Sequence, residues 1–151
     1  MLDSLKKGLP VLRGVAKVDR LLHLSYFSFE YDISQAFKYA SDALAEAQKI
    51  GYRPGEKHAL SLQGEYFYNI NEFEEARSYL KRSQSIKTPD SDGFAGYNYL
   101  IWANTYRLES KVDSAWHYYN LALPRMEMAG NPYHLHYAYI QHSNMLLNEY
   151  R

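Results

Sequence analysis

The chain has 151 residues, 46% of them apolar, with 17 basic residues against 17 acidic ones and no cysteine. This length and apolar share predict one folded domain with a real core and exclude a disordered chain. The charge balance argues against a nucleic-acid or anionic-membrane partner, and the lack of cysteine excludes disulfides, thiolate metal sites and a Cys nucleophile.

Residues 1–16 read as an N-terminal lead: Asp3, Lys6 and Lys7 stand where a secretory signal needs an unbroken apolar stretch. No apolar run approaches the roughly 18 residues needed to span a bilayer. Residues 17–56 form a first unit that contains YDISQAFKYASDA (31–43) and closes on the breakers GYRPG (51–55). In the second unit, residues 57–95, the periodicity predicts a helix from about Glu56 to Ile70, a turn at Asn69 to Asn71, and a helix from about Glu72 to Ile86 carrying NEFEEARSYLKRS (71–83). TPDSDG (88–93) follows, with Thr88, Asp90, Ser91 and Asp92 as candidate caps. The third unit, residues 96–135, contains SKVDSAWHYYNLA (110–122) and ends at GNP (130–132), and residues 136–151 read as one further helix.

The three quoted segments align on Ala36, Ala76 and Ala115. Three residues before each alanine lies Ile33, Phe73 or Val112, and three after lies Tyr39, Tyr79 or Tyr118. Nine before lies Phe27, Phe67 or Tyr106, and seven after lies Ala43, Ser83 or Ala122. Steps of three, four and seven share one helix face. Small residues there let a neighbouring helix approach, and the aromatics fill the space beside them. A last, partial copy places Ala138 on Ala59, Ser143 on Gly64 and Leu146 on Phe67. The expected architecture is all-α: an α-solenoid of antiparallel helix pairs, about three and a half repeats of 39–40 residues, because no single pair can bury its own apolar face.

Over residues 17–150 this pattern resembles the tetratricopeptide repeat (TPR). Gly64 with Phe67, Ala76 with Tyr79, and Ser83 match its slots in the second unit; Ala103 with Tyr106, Ala115 with Tyr118 and Tyr119, Ala122 and Pro124 match in the third. The first unit departs at Leu24, where a small residue is usual, and the repeat is longer than the usual length of about 34 residues. The opening, LDSLKKGLPVLRGVAKVDRLLHLSYFSFEYDISQAFKYASDALAEAQKIGY, is similar to the TPR regions of bacterial sensor histidine kinases and helix-turn-helix regulators. That resemblance implies a sensing or docking module in a longer signalling protein that continues past Arg151, periplasmic if attached to a membrane sensor and otherwise cytoplasmic.

The TPR resemblance implies a ligand groove lined by one face of the first helix of each pair. Projected onto this chain, that face offers Val18, Leu21, Ser25 and Phe29; His58, Ser61, Glu65, Tyr68 and Asn69; Tyr97, Leu100, Asn104 and Arg107; and Tyr137, Ile140, Asn144 and Asn148. The set suits an extended peptide. Asn104 and Asn144 fall in one slot and carry amides that pair with backbone N–H and C=O of any sequence. Tyr68, Tyr97 and Tyr137 offer flat rings with hydroxyl tips, and Arg107 can hold a carboxylate through two parallel bonds. The plain alternative is that these are ordinary helix residues, with Tyr97 and Tyr137 packed between units.

Catalytic and metal chemistry find no support. His134 and His136, two apart on a helix, point to different faces. His134 and His142 lie about 12 Å apart along the axis, too far for one zinc with bonds of about 2 Å. GYRPGEK lacks phosphate-loop spacing, no nucleophile elbow surrounds a serine, and Glu74 and Glu75 sit on adjacent solvated positions. The expected molecule is a non-enzymatic protein- or peptide-binding module without cofactor or metal, without nucleic-acid or direct membrane contact. A second expectation is structural: self-association, as a homodimer through the C-terminal helix, whose Ile140, Met145 and Leu146 or Leu147 would lie uncovered.

Overall fold

The computed structural model describes residues 1–89 and 94–149, with backbone only for Phe94, Tyr133, Asn148 and Glu149. Among the described residues the chain forms eight α-helices and no strand: α1 (Leu2–Lys6), α2 (Gly14–Ser28), α3 (Ile33–Ile50), α4 (Arg53–Asn69), α5 (Phe73–Ser85), α6 (Phe94–Leu108), α7 (Val112–Ala129) and α8 (Pro132–Glu149), with a 3-10 turn at Leu9–Val11. The all-α expectation holds, and α4 and α5 begin and end within three residues of their predicted bounds. The helices gather into two compact units, Met1–Thr88 and Pro89–Arg151.

In the first unit α2 packs on α3, α4 on α5, and α3 and α2 both against α4. Asp32 starts α3: its carboxylate accepts the Ser34 and Gln35 backbone N–H groups at 3.0 and 3.1 Å, which satisfies two donors that a helix start otherwise leaves unpaired. The core joins Val18, Leu21 and Leu22 of α2 to Ala40, Ala43 and Ala47 of α3 and Ala59 and Leu62 of α4. Alanine on α3 lets the helices close. Hydroxyls replace methyls at two contacts: Ser25 donates to the Ala36 carbonyl at 2.7 Å, and Ser61 and Ser83 lie 2.9 Å apart over the Lys57 carbonyl. The N-terminal lead folds back onto α2, where the Arg20 guanidinium donates to the Leu5 and Lys7 carbonyls at 3.0 and 3.3 Å, and Leu9 packs on the core.

In the second unit α6 and α7 form a hairpin and α8 packs on both. Leu100, Ala103, Ala115, Tyr119, Ala122, Met126, Ala138 and Met145 make its core. At Gly96 the backbones of α6 and α7 come close: a Cβ there would lie 3.1 Å from the Ala122 carbonyl and 3.0 Å from the Met126 nitrogen.

The repeat survives as a burial pattern. Residues 36–40, 76–80 and 115–119 each run buried, half-buried, exposed, half-buried, buried. It survives in the turns as well. After α4 the Glu72 N–H reaches the Phe67 carbonyl at 2.9 Å and Asn71 the Tyr68 carbonyl at 3.1 Å; after α6 Lys111 reaches Tyr106 at 2.9 Å and Ser110 reaches Arg107 at 3.0 Å. Asn71 and Ser110 adopt left-handed φ values of 63° and 60°, where glycine is the usual occupant of this helix stop. Gly51 fills the same role after α3 at φ 70°. The caps expected at Asp90, Ser91 and Asp92 lie outside the described residues, and the Thr88 hydroxyl is buried without a hydrogen bond among the described residues.

Candidate functional site

The first helices of the pairs carry the residues that the sequence singles out, and the structure sorts them by depth. In the first unit, Val18, Leu21, Ser25 and Ser61 are 4% exposed or less. They are interior, which corrects their assignment to a groove wall: α2 and α4 are covered by their hairpin partners on that side. Phe29 packs against the same core. His58, Glu65 and Tyr68 of α4 are half-buried and Asn69 is exposed. Tyr68 rests near Phe73 with ring centroids 6.4 Å apart, and the Asn69 amide turns back to the Glu65 carbonyl at 2.8 Å. A separate cleft of about 380 Å³ opens between the lead, α2 and α3, lined by Leu9, Lys17, Leu21, Asp42, Ala45, Glu46 and Lys49; an ion pair of 3.5 Å joins Lys17 to Glu46.

In the second unit the predicted residues lie on α6 and α8, four on each. Tyr97 stacks on the His134 imidazole, centroids 4.7 Å apart at 25°. Burial lowers the His134 pKa below its usual 6.5, since the low-dielectric setting disfavours the imidazolium. One face further along, the Asn104 amide donates to the Tyr137 hydroxyl at 3.3 Å. Arg107 follows Asn104 by three positions and so shares its face; its Nε–H is buried with no hydrogen-bond acceptor among the described residues. Asn144 is exposed, as is Ile140 at 43%.

Two members of this set are corrected. Leu100 is fully buried in the core, and Asn104 is 1% exposed, so neither presents a face to solvent. The reason is again packing: Leu100 lies in the core that α6 shares with α7 and α8, and Asn104 faces Tyr137 of α8. Asn144 occupies the Asn104 slot on α8 and is exposed among the described residues. The sequence reading missed two residues. His134 joins the surface through its stack on Tyr97, and Gln141 is 8% exposed with its Oε1 buried and without a donor among the described residues. The spacing held a signal for Gln141, which lies four residues after Tyr137 and three before Asn144, and so on their face.

Among the described residues, no group of three or more His, Asp or Glu side chains is placed to hold a metal ion, and no helix is long and apolar enough to cross a membrane. No protein-family model, no curated protein and no solved structure matches the chain.

Proposed function

We propose that this chain is a tetratricopeptide-type helical repeat module that binds an extended protein or peptide segment without catalysis, and that it serves as the sensing or docking part of a larger bacterial signalling regulator. What supports the repeat assignment is the recurrence at 39–40-residue spacing of the burial pattern and of the left-handed helix stop. What supports binding is one observation on α6: the Arg107 Nε–H is buried with no hydrogen-bond acceptor among the described residues. A buried donor left unpaired costs about 1–3 kcal/mol, and an acidic or carbonyl group of a ligand would remove that cost. Elsewhere on α6 and α8, the half-buried rings of Tyr97 and Tyr137 and the exposed Asn144 amide are groups suited to aromatic packing and backbone pairing. The first unit offers His58, Glu65, Tyr68 and Asn69 as its own contact surface.

The experiment is a selection of peptides from a random display library on the immobilised protein, followed by titration of the winners against Arg107→Ala and Asn144→Ala. Selected peptides should carry an acidic side chain or free carboxylate and should lose about tenfold or more in affinity to Arg107→Ala. Peptides that bind both variants as tightly as the parent would exclude this surface.

A further inference from the structure

Two arginines hold one wall of the cleft between the lead, α2 and α3. The chain leaves α1 through Gly8, at φ 83°, and enters the 3-10 turn at Leu9–Val11, where Pro10 fixes one backbone angle. The Arg13 guanidinium donates to the Pro10 and Leu12 carbonyls at 2.9 and 2.8 Å, and Arg20 holds the Leu5 and Lys7 carbonyls. Leu9 is thereby kept against the first-unit core. It lines the cleft together with the buried Leu21 of α2, and these two leucines are its apolar part.

Four charged side chains join them: Lys17 of α2 and Asp42, Glu46 and Lys49 of α3. Steps of four and three put the last three on one face of α3. Along that face Asp42 comes first, then Glu46 in its 3.5 Å pair with Lys17, then Lys49. Asp42 shares one oxygen with the exposed Lys38 at 3.2 Å, and a carboxylate has further lone pairs to offer. Lys49 has no hydrogen-bond or ion-pair partner among the described residues. The cleft therefore has an acidic end, a basic end and an apolar wall. A simple anion would meet Asp42 and Glu46, and a simple cation would meet both lysines. An uncharged apolar molecule would strip water from the charges without pairing them. A zwitterion satisfies both ends.

We infer that this cleft binds a short peptide with free termini, two or three residues long, with its ammonium on Asp42, its carboxylate on Lys49 and an apolar side chain against Leu9 and Leu21. The span favours a peptide over a single amino acid. Asp42 and Lys49 stand about 10 Å apart along the α3 axis. An extended chain covers at most about 3.6 Å per residue, so two or three residues, met by the long Lys49 side chain, bridge the ends and one does not. The volume of about 380 Å³ falls at the small end of ligand sites, roughly 300–1,000 Å³. Between the ends, Lys17 offers a donor and Glu46 an acceptor to the peptide group of the ligand. The site shares no residue with the contact surface proposed above and goes beyond that reading.

The test is a titration of isotope-labelled protein with leucyl-leucine, read from the backbone amide shifts of Ala45, Glu46 and Lys49. Those shifts should saturate by about 10 mM dipeptide. Acetyl-leucyl-leucine lacks the ammonium and leucyl-leucinamide lacks the carboxylate, and each should bind about tenfold or more weakly. Lys49→Ala should weaken leucyl-leucine by the same factor and leave leucyl-leucinamide unchanged, since that probe has no carboxylate to lose its partner. Asp42→Asn should do the same for leucyl-leucine against the acetylated probe. The amide spectrum shows directly that each variant is folded. Absence of saturable shifts on α3 at about 10 mM overturns the proposal, as does equal binding of free and blocked dipeptides. A Lys49→Ala variant that binds leucyl-leucine as the parent does, or that loses both probes alike, overturns it too. None of the three reporter residues belongs to the contact surface proposed above, so a failure here leaves that reading standing.

Discussion

The Asn104 side chain, 1% exposed, donates its amide to the Tyr137 hydroxyl at 3.3 Å and so ties α6 to α8. Asn104→Ala leaves that hydroxyl without its donor and opens space in a packed site, and should lower stability by about 1–3 kcal/mol. Tyr137→Phe should cost less, about 0.5–1.5 kcal/mol. Urea unfolding of the two single variants and the double variant completes the cycle; strictly additive losses would mean that the two groups do not interact.

The left-handed stops give a ranking. Ser110 at φ 60° and Asn71 at φ 63° both occupy a conformation that costs most L-residues about 1–2 kcal/mol, asparagine less and glycine nothing. Ser110→Gly should therefore stabilise the protein by about 0.5–1 kcal/mol, and Asn71→Gly by less. Thermal melts of both variants measure the order; a lower melting temperature for Ser110→Gly contradicts it.

Two glycines at helix contacts should respond differently to a methyl group. At Gly96 the added Cβ meets backbone, the Met126 nitrogen at 3.0 Å and the Ala122 carbonyl at 3.1 Å, so α6 must move from α7 at a cost of about 1–3 kcal/mol. At Gly64 the added Cβ meets Cγ and Cδ2 of the fully buried Leu80 at 2.9 Å and the Ala76 carbonyl at 3.3 Å, so Leu80 must shift, and the up to about 1 kcal/mol of helix propensity that alanine returns offsets part of that cost. Gly64→Ala should therefore lose less than Gly96→Ala, and equal losses at the two sites would refute the distinction.

Tyr119 sets an alkaline limit. Its hydroxyl donates to the Ala138 carbonyl at 3.0 Å. Burial first, then the neighbouring Tyr139 and Glu127, push its pKa from 10.0 to about 12. A folded-state pKa above the unfolded one stabilises the fold below pH 10, and that stabilisation drains away as pH rises from 10 towards 12, by up to about 1.4 kcal/mol per unit. Tyr119→Phe should cost about 1 kcal/mol at neutral pH and flatten the decline above pH 10 in denaturant titrations.

His134 sets an acid limit of the opposite sign. Burial depresses its pKa below 6.5, so its contribution is complete above that value and is lost as pH falls through the lower folded-state pKa. Both tryptophans, Trp102 and Trp116, lie in the second unit, so their emission reports unfolding there. Acidification below pH 6.5 should shift that transition to lower urea, and His134→Phe should lessen the shift.

Much of the helical framework was legible in the sequence because its signals are local. Ala36, Ala76 and Ala115 recur at helix contacts, and Gly51, Gly130 and the Asn71 turn stop helices where the chain must change direction. Depth was not legible to the same degree. Leu100 and Asn144 look alike in a one-helix projection, as do Asn104 and Asn144, yet each pair is split between interior and surface by which neighbour lies alongside. A helical wheel fixes which residues share a face; it does not count how many helices cover that face. Leu21, Ser25 and Ser61 were misassigned for the same reason, and Gln141 was missed because a glutamine at helical spacing reads as solvated until a neighbour closes over it.

The Arg20 contact that holds the N-terminal lead joins a guanidinium to two backbone carbonyls rather than to a carboxylate. Only one of the partners carries a net charge for dissolved ions to shield. The clasp therefore loosens less in saline surroundings than an Arg–Glu latch in its place would.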